Sequence, residues 1–463
     1  MRILPLVFSI LILAALACQS AGTAIPTASP PASVTETVSS PSPSPAPTAT
    51  LTSTPPAQGV IHVNTLEQEV YPFKQNGKCS LGEAILAANL GKSQDSCEAG
   101  IPKQSVIELM PGEYHFTQVD HSPPQFDWLV SVVSVGDALP PIVFPLTIHG
   151  NGAILVRDDG AEPFRFFELL TNSGLTLSDI TLQNGDVQND WGGAIYSTNN
   201  VVNLDHIRFI NNHAANGGAI YFDLGALTIQ DGEFNGNFAN LSGGAVYIDS
   251  SRATIQSTRF EANESNGDGG GLYASTVRLV LKDSFFIKNR VTGKGYGTEG
   301  GGISASHVDL NITESQFYQN ESPLYGGAVA VNDPILAGTD PEDGDPIKQI
   351  QQSPMTSDML TSIPGFQATL EAHPSGIFIK FEENIQIHNN CFANNVTINP
   401  DDPNWTSGLL GRASMADGNY WGDPSGPSGM GPGRGDSVGK RLTFSPFLKQ
   451  APPHCDPTLA EHN

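Results

Sequence analysis

The chain has 463 residues, of which 22 are basic and 47 acidic, and its formal net charge is −25. This balance excludes nucleic acid as a partner, because no basic patch is available to neutralise phosphates. The 48 glycines and 35 prolines favour a chain with many turns. The length allows a large hydrophobic core.

Residues 1–18 have the pattern of a secretory signal peptide. Met1-Arg2 precedes an apolar run that is too short to span a bilayer and ends in small residues. The end of this run, Ala15–Cys18, resembles a bacterial lipobox. We therefore expect Cys18 to become a lipidated N-terminus, and the alternative is ordinary cleavage nearby.

Residues 19–58 are mostly Ser, Thr, Pro and Ala, with almost no large apolar side chain. Such a segment cannot bury enough surface to offset the entropy lost on ordering, so we expect a disordered linker. A linker that follows a lipid anchor would act as a stalk, because it would hold the rest of the chain away from the membrane surface.

Four cysteines remain after Cys18, which is an even number in a chain predicted to be exported. We expect Cys79 to form a disulfide with Cys97, and Cys391 with Cys455. No cysteine pair has the spacing of a zinc site, so a metal role for them is not expected.

A two-part motif recurs along the middle of the chain, in which a GGxxY-like block is followed by FxxN. The first glycines of these blocks are Gly192, Gly217, Gly243, Gly269, Gly300 and Gly326. Their spacings are 25, 26, 26, 31 and 26 residues. A unit that repeats at a near-fixed period is typical of a solenoid, in which each unit packs against its neighbours.

Each unit contains short stretches in which apolar and polar residues alternate, for example Leu227, Thr228 and Ile229. A period of two predicts β-strands with one buried face. The phenylalanine of each FxxN would stack in the core. The closing asparagines would form a ladder inside a corner, and they are Asn212, Asn237, Asn263, Asn289 and Asn320.

These blocks resemble the repeats of polymorphic outer membrane proteins and of related β-helix proteins of the pectate-lyase-like fold. Cys79–Asn89 resembles the CSLREA motif that begins many such chains, with Gly82 where the motif has arginine. Asn419–Pro427 is similar to a segment that closes many of these helices. The resemblance implies an all-β fold, a right-handed parallel β-helix, over roughly residues 60–450.

The repeat pattern disappears between Asn332 and Phe381. A long insertion in a regular solenoid is often a functional loop over one face, and the alternative is a variable ornament. The predicted organisation is a signal peptide (1–18), a Ser/Thr/Pro-rich linker (19–58), a CSLREA-like cap (59–116), β-helix coils (117–332), the insertion (333–380), the last coils and closing segment (381–450) and a tail (451–463).

The outward column of the GGxxY strands supplies candidate binding residues, namely Tyr196, Tyr221, Tyr247 and Tyr273. Stacked tyrosines beside carboxylates and hydroxyls suit a carbohydrate, because the apolar faces of a sugar lie on aromatic rings while its hydroxyls find acceptors. The alternative is that the tyrosines only stabilise the sheet.

Two residues after the second and third of these tyrosines, Asp223 and Asp249 would face each other on neighbouring strands. Such a pair of carboxylates either raises one pKa or recruits a cation such as Ca²⁺. The alternative is a pair of solvated surface acids, because calcium requires six or more oxygen ligands.

The resemblance to pectate lyases also raises the hypothesis of an enzyme, which would need a base and a cation beside a uronic carboxylate. The basic residues are scattered, and the best acid/base group is His206, beside Asp205 and near Asp231 at a corner. This arrangement does not favour catalysis.

We therefore predict a secreted bacterial lipoprotein of the cell surface. The favoured function is a non-catalytic, monomeric, adhesin-like or glycan-binding module on a lipid-anchored stalk, with a polysaccharide or another surface macromolecule as partner. The alternatives are a polysaccharide lyase or glycoside hydrolase of the pectate-lyase-like fold, and a purely structural spacer of the cell envelope.

Overall fold

The computed structural model describes residues 59–120, 136–293, 298–324, 326–332, 369–373, 376–380, 385–397, 409–410, 416–429, 431–438, 443–456 and 458. The chain divides into two units, Met1–Pro55 and Pro56–Asn463. The predicted signal peptide, Cys18 and the linker lie outside the described residues. None of the described helices is long and apolar enough to cross a bilayer.

The described part is nearly all β, with parallel strands stacked as a solenoid of about seven turns. This confirms the predicted fold class, to which the structure adds one helix. The N-terminal elements are β1 (Val60–His62), α1 (Leu81–Leu90), β2 (Ser105–Glu108), β3 (Glu113–Phe116), β4 (Leu146–Arg157), β5 (Phe167–Leu169) and β6 (Gly174–Gln183).

The strands of the clear repeats follow in chain order. They are β7 (Ile195–Ile210), β8 (His213–Ala214), β9 (Ile220–Gln230), β10 (Glu233–Asn235), β11 (Phe238–Ala239), β12 (Val246–Asp249), β13 (Arg252–Gln256), β14 (Arg259–Glu261), β15 (Glu264–Ser265), β16 (Leu272–Ser275), β17 (Arg278–Lys282), β18 (Phe285–Ile287), β19 (Arg290–Val291), β20 (Ile303–Ser306), β21 (Asp309–Thr313), β22 (Gln316–Tyr318), β23 (Glu321–Ser322) and β24 (Val329–Asn332).

The C-terminal part contributes shorter strands. They are β25 (Thr369–His373), β26 (Gly376–Lys380), β27 (Ile385–His388), β28 (Cys391–Ala393), β29 (Val396–Thr397), β30 (Leu409–Leu410), β31 (Pro427–Gly429) and β32 (Gly435–Val438). Equivalent strands of successive coils pair in register, so β9, β12, β16, β20 and β24 form one continuous face.

Helix α1 lies in the segment that we predicted to be a CSLREA-like cap, and nine of its ten residues are buried. A capping box begins it, because the Ser80 hydroxyl accepts from the Glu83 backbone N–H while the Glu83 carboxylate accepts from the Ser80 N–H. A Cβ at Gly82 would lie 2.9 Å from the Glu69 carbonyl oxygen. The arginine of the motif would therefore not fit here.

Two rows of side chains hold the coils together. One is a stack of buried aromatic rings at centroid spacings of 4.5–5.1 Å, made by Phe209, Phe234, Phe260, Phe286, Phe317, Phe392 and Trp421. In the other, the backbone N–H and Nδ2 of Asn212 both donate to Asn237 Oδ1 at 3.0 Å. The predicted stack and ladder are both present.

This asparagine ladder continues in the same sense through Asn263, Asn289, Asn320 and Asn395. Its last acceptor is Asp436, whose Oδ2 receives the Nδ2 of Asn395 at 2.6 Å. Burial raises the pKa of Asp436 to about 7, because a carboxylate loses hydration in the interior.

The double glycines allow adjacent coils to approach closely at one corner. Gly243 has a φ of +69°, a conformation that glycine adopts without strain. A Cβ on Gly244 would lie 2.0 Å from the Gly270 carbonyl oxygen of the next coil. Any side chain at this second position would therefore force the coils apart.

The insertion interrupts a coil without disturbing its register. β24 ends at Asn332, and the chain returns in β27, where Ile385 pairs with Leu310 of β21. Within the insertion, β25 and β26 form an antiparallel hairpin, and its other residues lie outside the described ranges.

Both cysteine pairs that we proposed are disulfide-bonded. The Cα atoms are 4.7 Å apart for Cys79 and Cys97, and 6.0 Å apart for Cys391 and Cys455. The first disulfide lies beside the start of α1, and the second joins β28 to the C-terminal segment. Each therefore fixes one end of the solenoid.

Candidate ligand-binding strip

The four candidate tyrosines form a continuous row on one face of the solenoid, because β7, β9, β12 and β16 are paired in register. Their ring centroids are 5.5, 5.0 and 4.9 Å apart, with tilts of 12–28°. We call this row, with Trp191, Asp223 and Asp249, the tyrosine strip.

The tyrosine rings cover one another, and only 9% of Tyr221 is exposed. In-register parallel strands place equivalent residues about 4.8 Å apart, so the rings must stack face to face. We expected exposed ring faces that a sugar could stack on. The stacking instead leaves mainly the edges of the rings for a ligand.

Trp191 is the aromatic side chain of the strip that the sequence did not single out. It is 40% exposed, and its ring stacks on Tyr221 at 4.8 Å with a tilt of 19°. It immediately precedes Gly192, at a corner where it bridges to Asn216 of the next coil. An aromatic residue directly before a double glycine was the signal that could have identified it.

A buried cation fixes Trp191 and one end of the strip. Arg165 is 1% exposed, and its guanidinium donates to the Trp191 carbonyl oxygen at 2.9 Å and to the Asp190 carboxylate. The guanidinium also lies 5.0 Å from the centroid of the Tyr196 ring. Asp190 in turn accepts from the Trp191 backbone N–H at 2.9 Å.

A second carboxylate, that of Asp137, lies 3.2 Å from Arg165 Nε. Burial and the neighbouring Glu168 carboxylate raise the pKa of Asp137 well above its usual range. The sequence did not identify this charged group, because its members precede the clear repeats and share no motif. They are Asp137, Arg165, Glu168 and Asp190.

Asp223 and Asp249 are register partners on β9 and β12. Burial and then repulsion from Asp249 raise the pKa of Asp223 to about 6. Burial also raises the pKa of Asp249, whose carboxylate accepts from the Ser250 N–H at 2.7 Å. Within the described ranges, no third carboxylate, imidazole or thiol lies close enough to form a metal-binding group with them. The structure therefore adds no ligand to the hypothetical calcium site.

Among the described residues, neither Asp223 nor Asp249 forms an ion pair with an arginine or lysine, and His307 lies close enough to Asp249 for its charge to act on that carboxylate against the effect of burial. On other faces of the solenoid, several acids pair with arginine or lysine on the same or a neighbouring coil. Such pairs are Arg208–Glu233, Arg259–Glu261, Arg278–Asp309, Lys282–Glu314 and Arg290–Glu264.

The His206 group lies at a different corner, beside a hollow of about 310 Å³ lined in part by Asp179 and Arg208. His206 Nδ1 is 2.9 Å from Asp205, and Nε2 is 3.8 Å from Asp231. These carboxylates, Asp205 foremost, raise the pKa of His206. The group is open to water, and the structure brings it together as the sequence indicated.

Residues 206–223 match the Chlamydia polymorphic membrane protein (Chlamydia_PMP) repeat. The match contains Phe209–Asn212 and Gly217–Tyr221, which are the FxxN and GGxxY blocks of neighbouring units. No curated protein and no solved structure matches the chain. A repeat of this type on a β-solenoid suggests a surface-exposed or outer-membrane protein.

Proposed function

We propose that this protein is a surface-displayed, adhesin-like module that binds saccharide chains along the tyrosine strip. The observation that supports this proposal is the aromatic row itself, which repeats every 4.9–5.5 Å. That distance is comparable with the length of one pyranose unit in an extended polysaccharide. A bound chain could therefore place one sugar on each coil.

The contacts would differ along the strip. Trp191 offers an exposed ring that can lie against the apolar face of a sugar. The stacked tyrosines offer ring edges and hydroxyl groups, which can donate to or accept from sugar hydroxyls. Asp223 and Asp249 add acceptors at one side of the row.

The proposed display depends on the N-terminal segment. Cleavage before Cys18 and lipidation of that cysteine would attach the protein to a membrane, and residues 19–58 would serve as the stalk. Incorporation of labelled palmitate into the chain, and its loss in Cys18→Ser, would test this part independently of ligand binding.

The structural-spacer alternative is favoured by one observation, the 9% exposure of Tyr221. A tyrosine ladder that only stabilises the sheet would need no ligand. Variants that keep the ladder but remove its polar groups therefore separate the two functions. A Tyr→Phe substitution does this, whereas Tyr→Ala would also remove the stacking contacts.

The experiment measures retention of the full chain on neutral and anionic polysaccharides, with Ca²⁺ present. Trp191→Ala should weaken retention about tenfold, as expected for an aromatic anchor. Tyr247→Phe should weaken it less. The control is Val280→Ala, because Val280 is also exposed but lies outside the strip on β17.

Equal retention of the wild type and Trp191→Ala would refute binding along the strip. The same incubations are assayed for new reducing ends and unsaturated products. Turnover of any polysaccharide would replace the proposed role with that of a lyase or hydrolase.

A further inference from the structure

The hollow beside His206 is formed by an irregularity in one coil. Where β6 has the single residue Asp179 at a corner, β4 has the three residues 150–152. Extra residues of this kind bend a strand and open space beside it. A Cβ built on Gly152, which lines the hollow, would meet no atom within 4 Å. The corner is therefore open at this coil.

One polar side chain on the wall of the hollow is buried without a hydrogen-bond partner. Thr181 is only 8% exposed, and its hydroxyl forms no hydrogen bond with any described residue. It lies beside Arg208 of the next coil, whose guanidinium pairs with Glu233 instead. A buried hydroxyl without a partner is unfavourable unless a ligand or an ordered water supplies the hydrogen bond. The hollow thus contains a polar group that the rest of the described chain does not satisfy.

The imidazole of His206 lines the same hollow and lies between two acids. Asp179, His206 and Asp231 occupy equivalent corner positions on three successive coils, and their φ values are 50–51°. His206 Nε2 is 3.8 Å from Asp231 Oδ2. Asp179 also lines the hollow and is close enough for its charge to act on the imidazole. The stacking of coils therefore places an imidazole between carboxylates at the edge of an open space.

The geometry at the imidazole is that of a metal-binding histidine. When one ring nitrogen binds a metal, the other commonly donates to a carboxylate, which fixes the ring. His206 Nδ1 lies 2.9 Å from Asp205 Oδ1, so Nε2 is the nitrogen that remains for an ion. Two ligands of one zinc ion lie roughly 3.3 Å apart, given bonds of about 2.0–2.2 Å. The distance from Nε2 to Asp231 therefore needs only a small adjustment of the side chains.

The His206 group also differs from other clusters in the described part of the chain. Two groups there bring three ligand atoms of His, Cys, Asp or Glu within 4.8 Å of one another. The other group consists of His454 with Cys391 and Cys455, which are joined in a disulfide and offer no thiolate to a metal. The His206 group is exposed, so an ion can reach it from solvent.

We propose that His206 Nε2 and the Asp231 carboxylate bind a divalent transition-metal ion of the zinc class, and that Asp205 positions the imidazole. An imidazole nitrogen suits zinc, whereas calcium takes oxygen ligands. The remaining coordination positions are open to water, and water ordered in the hollow can donate to the Thr181 hydroxyl. This site is separate from the tyrosine strip and does not depend on saccharide binding.

The test titrates Zn²⁺ into the full chain at neutral pH and measures the heat of binding. We expect a component that saturates at one ion per chain and that excess Ca²⁺ does not displace. His206→Asn should remove this component, because asparagine tolerates the left-handed backbone at this position but lacks the imidazole. Asp231→Asn should weaken zinc binding by about tenfold or more, since it removes the charged ligand.

A second pair of variants tests the positioning residue. Asp205→Ala should weaken zinc binding by about 10–100-fold, the loss typical of a partner that orients a ligating histidine. Asp205→Asn should retain part of the affinity, because its amide oxygen can still accept from the Nδ1–H. Without zinc, both should unfold at the wild-type thermal midpoint, since Asp205 is exposed. A lowered midpoint with unchanged zinc affinity would contradict the positioning role.

His115→Asn is the matched control. His115 is also exposed and has acids at both ring nitrogens, with Asp158 2.6 Å from Nδ1 and Glu113 3.4 Å from Nε2. These atoms do not form one of the groups that converge within 4.8 Å in the described ranges, so this variant should bind zinc as the wild type does.

Three outcomes would overturn the proposal. One is a wild-type chain that binds no zinc, and another is His206→Asn with undiminished affinity. The third is an equal loss in His115→Asn, which would show that zinc binds any exposed imidazole beside acids. Displacement of zinc by Ca²⁺ would also contradict it, because the ligands would then be carboxylates alone.

Discussion

At the scale of the residue, Arg165 differs from the other arginines in ion pairs because its side chain is almost fully buried. Removing its charge would leave the largely buried Asp137 without its counter-ion and would break the contact with the half-buried Asp190. An uncompensated buried charge is far more costly than the loss of an exposed pair.

We predict that Arg165→Gln lowers the free energy of unfolding by about 3–5 kcal/mol. Arg208→Gln is the matched control, because it removes an exposed pair with Glu233 and should cost less than about 1 kcal/mol. Urea unfolding of the two variants measures this difference. Similar losses in both would contradict the structural role assigned to Arg165.

Residue-level features of the strip were only partly predictable from the sequence. Alternation with a period of two placed Tyr196 and Tyr247 on the outward face, because that depends only on the strand itself. How much of each tyrosine ring is buried depends instead on the rings of the neighbouring coils, which the pattern of a single strand does not show. The contact of Arg165 with Trp191 joins residues 26 positions apart, about one repeat, but Arg165 belongs to no GGxxY or FxxN block that could have identified it.

At the scale of the element, the asparagine ladder is a repeated buried hydrogen-bond network. Asn263 Oδ1 accepts from both nitrogens of Asn237, and its own Nδ2 donates to the Phe234 carbonyl oxygen at 2.9 Å. Each link thus satisfies polar groups on the preceding coil that water cannot reach.

Replacing Asn263 by alanine should therefore cost about 3 kcal/mol, since two donors and one acceptor lose their partners at once. Chemical denaturation is the measurement. Asn203→Ala is the control, because Asn203 is exposed on β7, and it should change stability by less than about 0.5 kcal/mol. A loss no greater than that of the control would contradict the ladder's contribution.

Element types were more predictable than element boundaries. FxxN and GGxxY repeat nearly unchanged, so strands, phenylalanine stack and asparagine ladder follow from one unit applied several times. Helix α1 occurs once and has few polar residues, so it lacks the amphipathic period that identifies a surface helix. Each repeat also contains a further strand of only two residues, such as Phe238–Ala239, which is too short to show a period.

At the scale of the whole molecule, several buried acids make stability depend on pH. The pKa values of Asp223 and Asp436 are raised to about 6 and about 7, above the ordinary 3.8. As pH rises from about 4 to 7, the unfolded chain loses these protons before the native state does, so stability falls. The large negative net charge acts in the same direction.

Below about pH 4, other carboxylates make stability fall as the pH decreases. Burial raises the pKa of Asp186, but hydrogen bonds from His213 and the Gln188 N–H, together with the charges of His213 and Arg157, outweigh burial and lower it. Asp186 therefore loses stabilising interactions as it protonates. We therefore predict the highest thermal midpoint at about pH 4 and a lower one at pH 8. Calorimetry across this range tests the expectation.

Asp436→Asn should reduce this dependence between about pH 4 and 7, because the variant lacks that proton. Asp423→Asn is the control, since Asp423 is an acid in the same segment whose pKa is lowered by hydrogen bonds from Ser425. An unchanged slope in Asp436→Asn would show that Asp436 does not titrate in this range.

The asparagine ladder also gives the solenoid a polarity. At every link the donors lie on the earlier coil and the acceptor on the later one, so no coil is complete until its successor has folded against it. The ladder can continue from one coil to the next as long as the equivalent position of the next coil is an asparagine. Asp436 terminates it, because a carboxylate accepts from Asn395 and has no amide to pass on. Among the described residues, this ladder thus ends where a carboxylate oxygen replaces the amide nitrogen of asparagine.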